Sequence, residues 1–121
     1  MAKNKKEISQ EVKTVIRNSY DIAKVYNDYE VKPEHILISI LDGKANTCII
    51  LFERIGIDIE ELYYKLDSLL RNDMNPKIVL SEIIPSPLTK SILSETNKIS
   101  DELESNTIDT THLLLSILKH E

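Results

Sequence analysis

The chain has 121 residues, 41% of them hydrophobic and 29% charged, which suits one globular domain with an ordinary core rather than a disordered segment. Its net charge of −5 argues against nucleic acid or an anionic membrane surface as partner. No apolar run approaches the ~20 residues of a membrane helix, Lys3, Lys5 and Lys6 lead into no signal-peptide stretch, and a single cysteine, Cys48, excludes an internal disulfide and a zinc pattern.

The elements follow in order. Val12, Val15, Ile16, Ser19, Ile22, Ala23 and Tyr26 recur at three- and four-residue steps, which predicts a helix over Ser9–Asn27 with Ser9 as its N-cap. After a polar connection, Pro33 opens a second helix to Leu41, since proline's missing N–H is no loss in the first turn; Gly43 caps its end. A third helix is expected from Asn46 to Ile55, closed by Gly56. Asp58, with Glu61 three residues on, opens a fourth with the stripe Leu62, Leu66, Leu69 and Leu70. Asn72 to Pro85 breaks the pattern around Ile78-Val79-Leu80, where at most a brief extended stretch is expected. Ser86-Pro87 starts a fifth helix to Glu104, and a sixth runs from Thr110 to Lys119. The fold class is all-α, with no alternating strand.

The chain also repeats itself. Val31–Leu41 returns as Ile108–Leu118 at an offset of 77, and Ser9/Ser86, Lys13/Lys90 and Ile22/Ile99 match at the same shift. Matching apolar positions imply two copies of one helical unit that bury their faces against each other. The expected organisation is one domain, with repeat one at 8–71, a linker at 72–85 and repeat two at 86–121. The second repeat lacks counterparts to the residues after Leu41.

Few residues suggest chemistry. Gly43 and Gly56 are the only glycines, too few for a phosphate loop, so no ATPase module, cofactor or enzyme is expected in this chain. His35 and His112 stand at equivalent positions, and they read as helix-start residues that pack and donate one hydrogen bond rather than as metal ligands. Cys48 reads as a small core residue, and Glu60 and Glu61 as helix-start acids. Tyr20, Tyr26, Tyr29, Tyr63 and Tyr64 are equally consistent with a binding groove and with packing. Asp101, Glu102 and Glu104 form an acidic face that is solvated or docks a basic adaptor.

Taken together, the order and spacing of these motifs resemble the double-repeat N-terminal domain of the ClpA/ClpC-type AAA+ unfoldases over residues 8–121. Ile8-Ser9 and Pro85-Ser86 stand at that family's aromatic-Thr position. Pro33-Glu34-His35-Ile36-Leu37 and Thr110-Thr111-His112-Leu113-Leu114 stand at its Thr-Glu-His-Leu-Leu, and Ile55-Gly56-Ile57-Asp58 at its Leu-Gly-Val-Asp turn. The resemblance implies a non-catalytic, cytoplasmic domain that recruits protein substrates or adaptors to an unfoldase ring, in cis or in trans, without nucleic acid or membrane. A stand-alone adaptor or decoy is the variant reading. A helix-turn-helix nucleic-acid binder is the rival class, opposed by the acidic charge.

The same resemblance implies phosphoarginine-type sites at Ser9 and Glu34 and at Ser86 and Thr111. Thr111 replaces the guanidinium-binding Glu, and the family's Arg becomes Glu11 and Leu88. Any such binding is therefore expected to be weak and confined to Ser9 and Glu34. The apolar face Leu113, Leu114, Ile117 and Leu118 is expected to be covered, by the other repeat and the Ile78–Ile84 linker or by a homodimer around Leu114 and Leu118.

Overall fold

The computed structural model describes residues 7–43, 47–72, 82–105 and 107–120. The stretch Ile78-Val79-Leu80 lies outside the described residues. Six helices account for most of them: α1 (Gln10–Val25), α2 (Pro33–Asp42), α3 (Thr47–Arg54), α4 (Ile59–Asn72), α5 (Pro87–Glu102) and α6 (Thr110–Lys119). Among the described residues no helix is long and apolar enough to cross a membrane.

Local chemistry sets the helix ends. The Ser9 hydroxyl accepts from the Val12 N–H at 3.2 Å, and the Ser86 hydroxyl accepts from the Thr89 N–H at 3.1 Å. Asp58 Oδ1 accepts from the Glu61 N–H at 3.1 Å and so starts α4. Gly56 takes the left-handed φ of 81° that ends the α3 turn. Both long helices stop on a non-glycine left-handed residue, Asn27 at φ 55° and Glu104 at φ 54°. There the Asp28 N–H returns to the Ala23 carbonyl at 2.9 Å, and the Ser105 N–H returns to the Ser100 carbonyl at 3.0 Å.

The two histidines accept where donation was expected. His35 Nδ1 takes the Lys32 N–H at 2.8 Å, and His112 Nδ1 takes the Asp109 N–H at 2.9 Å. Each ring thus satisfies a backbone donor before its helix that would otherwise be orphaned. Other bonds also recur at the 77-residue offset. Ser39 Oγ donates to the Val15 carbonyl at 2.7 Å, locking α2 onto α1, and Ser116 Oγ donates to the Ile92 carbonyl at 2.7 Å, locking α6 onto α5.

The all-α expectation holds with one addition, two pairs of two-residue parallel strands. β1 (Glu7–Ile8) pairs with β4 (Thr107–Ile108), and β2 (Glu30–Val31) pairs with β3 (Ile84–Pro85). Two residues show no period, so these strands left no pattern to read. Their effect on the fold is large, because each pair crosses from one half of the chain to the other. The start of α1 is tied to the start of α6, and the start of α5 to the start of α2.

The core is aliphatic and spans all six helices, with Val15, Ile36, Ile40, Phe52, Leu66 and Ile92 among its members. α6 packs on α5, α3, α1 and α2, and so Leu113, Leu114 and Ile117 are buried at 0%, 2% and 3% exposure. That corrects the homodimer expectation at Leu114: the first half of the chain already covers it. Leu118 stays on the surface. Leu69, on the apolar stripe expected for the fourth helix, is also exposed, as is Ile50 on α3, because the inward positions of α3 and α4 are filled by Ile49, Phe52, Leu66 and Leu70.

Candidate binding groove between the halves

The crossed strands decide which expected site residues meet. Ser9 does not share a site with Glu34. Its N–H donates to the Ile108 carbonyl at 3.0 Å, which sets it beside the start of α6 and hence beside Thr111. Likewise the Ser86 N–H donates to the Val31 carbonyl at 3.0 Å, which sets the start of α5 against the start of α2 and Glu34. Each junction is therefore composite, one helix start from each half.

At the Ser9 junction the exposed Glu11 reaches across to the start of α6. The Thr110 hydroxyl donates to Glu11 Oε1 at 2.8 Å, so a carboxylate already occupies the position an anion would need. Cys48, fully buried on α3, hydrogen-bonds with the same Thr110, and burial above all pushes its thiol pKa up. This cysteine is a packing residue.

At the Ser86 junction the hydroxyls are committed within the chain. Ser86 Oγ donates to Thr89 Oγ1 at 2.8 Å, and Thr89 Oγ1 donates to the Val31 carbonyl at 2.7 Å. Pro87 at the first helical position also removes an N–H from the end of the helix. A phosphate finds few donors there. Beside these residues opens a groove of about 350 Å³, walled by Leu37, Leu66, Leu69, Leu88, Ile92 and Ile117, with Pro33, Glu34 and His120 completing it. It is an apolar trough with one carboxylate. The carboxylate, Glu34, stood out in the sequence, whereas the walls did not, because they come from α2, α4, α5 and α6 together.

The tyrosines divide between packing and surface. Tyr26 is buried, and its hydroxyl donates to Asp67 while the Arg71 guanidinium lies 5.8 Å from its ring centroid. Tyr63 meets Tyr64 edge-on with centroids 6.3 Å apart, beside a shallow hollow that includes Leu41 and Ile59. Among the described residues no group of three or more His, Cys, Asp or Glu side chains is placed to hold a metal ion.

Comparison with known proteins agrees with this architecture. The family described as the Clp repeat (R) N-terminal domain matches residues 7–121. The chaperone protein ClpB of Clostridium perfringens is 23% identical over 120 residues, covering 95% of this chain but 14% of that protein. The chain therefore spans about a seventh of the curated relative it matches. The N-terminal domain of Hsp104 from Candida albicans superposes with a TM-score of 0.77 at 18% identity, over 94% of this chain and 75% of that one. A ClpV N-domain, solved in complex with a VipB peptide, superposes with a TM-score of 0.73 at 17% identity, over 98% and 78%. With a family match over nearly its whole length and the fold to go with it, the chain belongs to the Clp repeat N-terminal domain family.

Proposed function

We propose that this chain is a non-catalytic, cytoplasmic protein-interaction domain that recruits substrates or adaptors to a Clp-type AAA+ unfoldase. The observation that carries the reading is the groove at the Ser86 junction, whose apolar walls meet a single carboxylate, Glu34. Such a trough suits an extended or helical segment with leucine-type side chains and one Arg or Lys. Family membership supports the role, as does the peptide held by the ClpV N-domain.

The groove is tested by fluorescence anisotropy with a labelled peptide of leucines flanking one arginine. Leu88→Asp, at a site 47% exposed, is expected to weaken binding about tenfold and Glu34→Gln about threefold. Equal affinity in all three proteins would remove the groove from the reading. Recruitment itself is tested by adding the chain to a purified Clp unfoldase and following the unfolding of a fluorescent substrate. An unchanged rate at saturating chain would end the proposal.

Phosphoarginine is not the ligand these junctions favour. Glu11 opposes phosphate at one, and at the other the hydroxyls are engaged and Pro87 lacks its N–H. Titration calorimetry with free phosphoarginine is expected to show no site tighter than about 1 mM. Tighter binding that Glu34→Ala abolishes would show instead that Ser86 and Thr89 exchange their internal bonds for the phosphate.

A further inference from the structure

The two ends of α4 are built from the same residue types and finished differently. At the C-terminal end a tyrosine, a carboxylate and a guanidinium come together: the Tyr26 hydroxyl donates to Asp67, Arg71 Nε donates to Asp67 Oδ2 at 2.9 Å, and the guanidinium lies 5.8 Å from the Tyr26 ring centroid. At the N-terminal end lies the hollow of about 200 Å³, lined by Leu41 from α2 and by Ile59, Glu60, Tyr63 and Tyr64 from α4. Its two tyrosine rings stand at 86° to each other. Among the described residues no lysine or arginine lines it.

The charge around the hollow is of one sign. Glu60 lies on its wall, and Asp42, the last residue of α2, bears on the Tyr63 hydroxyl, whose pKa is raised by burial first and then by that carboxylate. Neither Glu60 nor Asp42 has an ion-pair partner among the described residues, whereas Glu61 has Lys65 at 3.2 Å. Arg71 also bears on Tyr63, but Asp67 already matches its charge. The C-terminus of α2 adds its own negative partial charge beside Asp42. Tyrosine faces and carboxylates together attract a cation. The volume falls short of the about 300–1,000 Å³ of a small-molecule pocket and suits a single side chain.

We infer that this hollow receives the side chain of an arginine from a partner protein, stacked on the tyrosines with its N–H groups directed to the carboxylates of Glu60 and Asp42. At the other end of α4 the chain completes the same constellation with its own Arg71. Arginine fits better than lysine, because a planar guanidinium stacks on a ring while its edge donates to a carboxylate. It also gives up water more readily than an ammonium, which matters beside the apolar Leu41 and Ile59. Tyr64 is 68% exposed, so most of its ring is still available to be covered. The inference does not rest on the Glu34 groove and stands even if that groove is inert.

The probe is N-acetyl-arginine amide, titrated into the isotope-labelled chain and followed by NMR through the backbone amide shifts. Saturable shifts are expected at Leu41, Asp42 and Ile59 to Tyr64, with a Kd of about 1–10 mM. Tyr64→Ala and Glu60→Gln, both at exposed positions, should each weaken binding at least about threefold. Unchanged amide shifts away from the hollow show that both variants fold. Glu34→Gln should leave the affinity as it is, and N-acetyl-lysine amide should bind at least about threefold more weakly than the arginine probe. Absence of saturable shifts at the hollow overturns the inference, as does binding indifferent to both Tyr64→Ala and Glu60→Gln. Equal affinity for the lysine probe would reduce the attraction to charge alone and overturn it. Shifts that vanish in Glu34→Gln would give the guanidinium to the groove and overturn it equally.

Discussion

Leu114→Ala is expected to destabilise the chain by about 2–5 kcal/mol, while Leu118→Ala, one turn further along α6, should change stability by no more than about 0.5 kcal/mol. The two leucines look alike in sequence. Leu114 is 2% exposed in the common core, so truncation loses its burial and leaves a cavity among side chains from both halves. Leu118 is 50% exposed, and truncation removes little that folding had buried. Urea denaturation of the two variants measures both values. A large loss at Leu118, with a small one at Leu114, would mean that α6 is rotated from the orientation described.

Acid is expected to weaken the fold through His35. Its side chain is fully buried, and desolvation is the main cause that lowers its pKa from 6.5 to about 4; nearby Asp28 pulls it up, and Lys32 pushes it down. Nδ1 is already accepting from the Lys32 N–H, so the neutral ring carries its proton on Nε2. That nitrogen has no hydrogen-bond partner among the described residues, and Asp28 Oδ2, itself 2.9 Å from Lys32 Nζ, lies 4.0 Å away.

The sign follows from which state binds the proton first. On acidification the unfolded chain protonates near pH 6.5, whereas the folded chain resists until about pH 4. The stability contribution is complete above pH 6.5 and is lost as pH falls towards 4, by about 3 kcal/mol in all. His35→Gln keeps an acceptor at the third helical position, where glutamine serves the same cap, and removes the titration. The wild-type chain should therefore lose stability relative to His35→Gln between pH 6.5 and 4 in urea melts. Parallel profiles for the two would show that His35 charges as freely in the folded chain as in the unfolded one.

The sequence by itself determined the helices, because their signals are local. Ser9, Pro33, Gly56, Asp58 and Ser86 act on backbone groups within a turn of themselves, and the apolar stripes need only the helical period. The 77-residue repeat likewise announced two similar units, and the family resemblance singled out Glu34, which lines the groove beside α5.

Only the tertiary structure decided how those units are joined. The pairing of β1 with β4 and of β2 with β3 rests on backbone hydrogen bonds between residues far apart in the chain, which side-chain periodicity does not encode. That pairing sets Ser9 beside the start of α6 and Ser86 beside the start of α2, so both of these junctions are made from the two halves together. It also separates look-alike residues: Leu114 from Leu118, Leu66 from Leu69 and Ile49 from Ile50 differ in which neighbour reaches them. An apolar side chain states in sequence that it gains by burial. Which face is buried, and which stays exposed, depends on the helix packed over it.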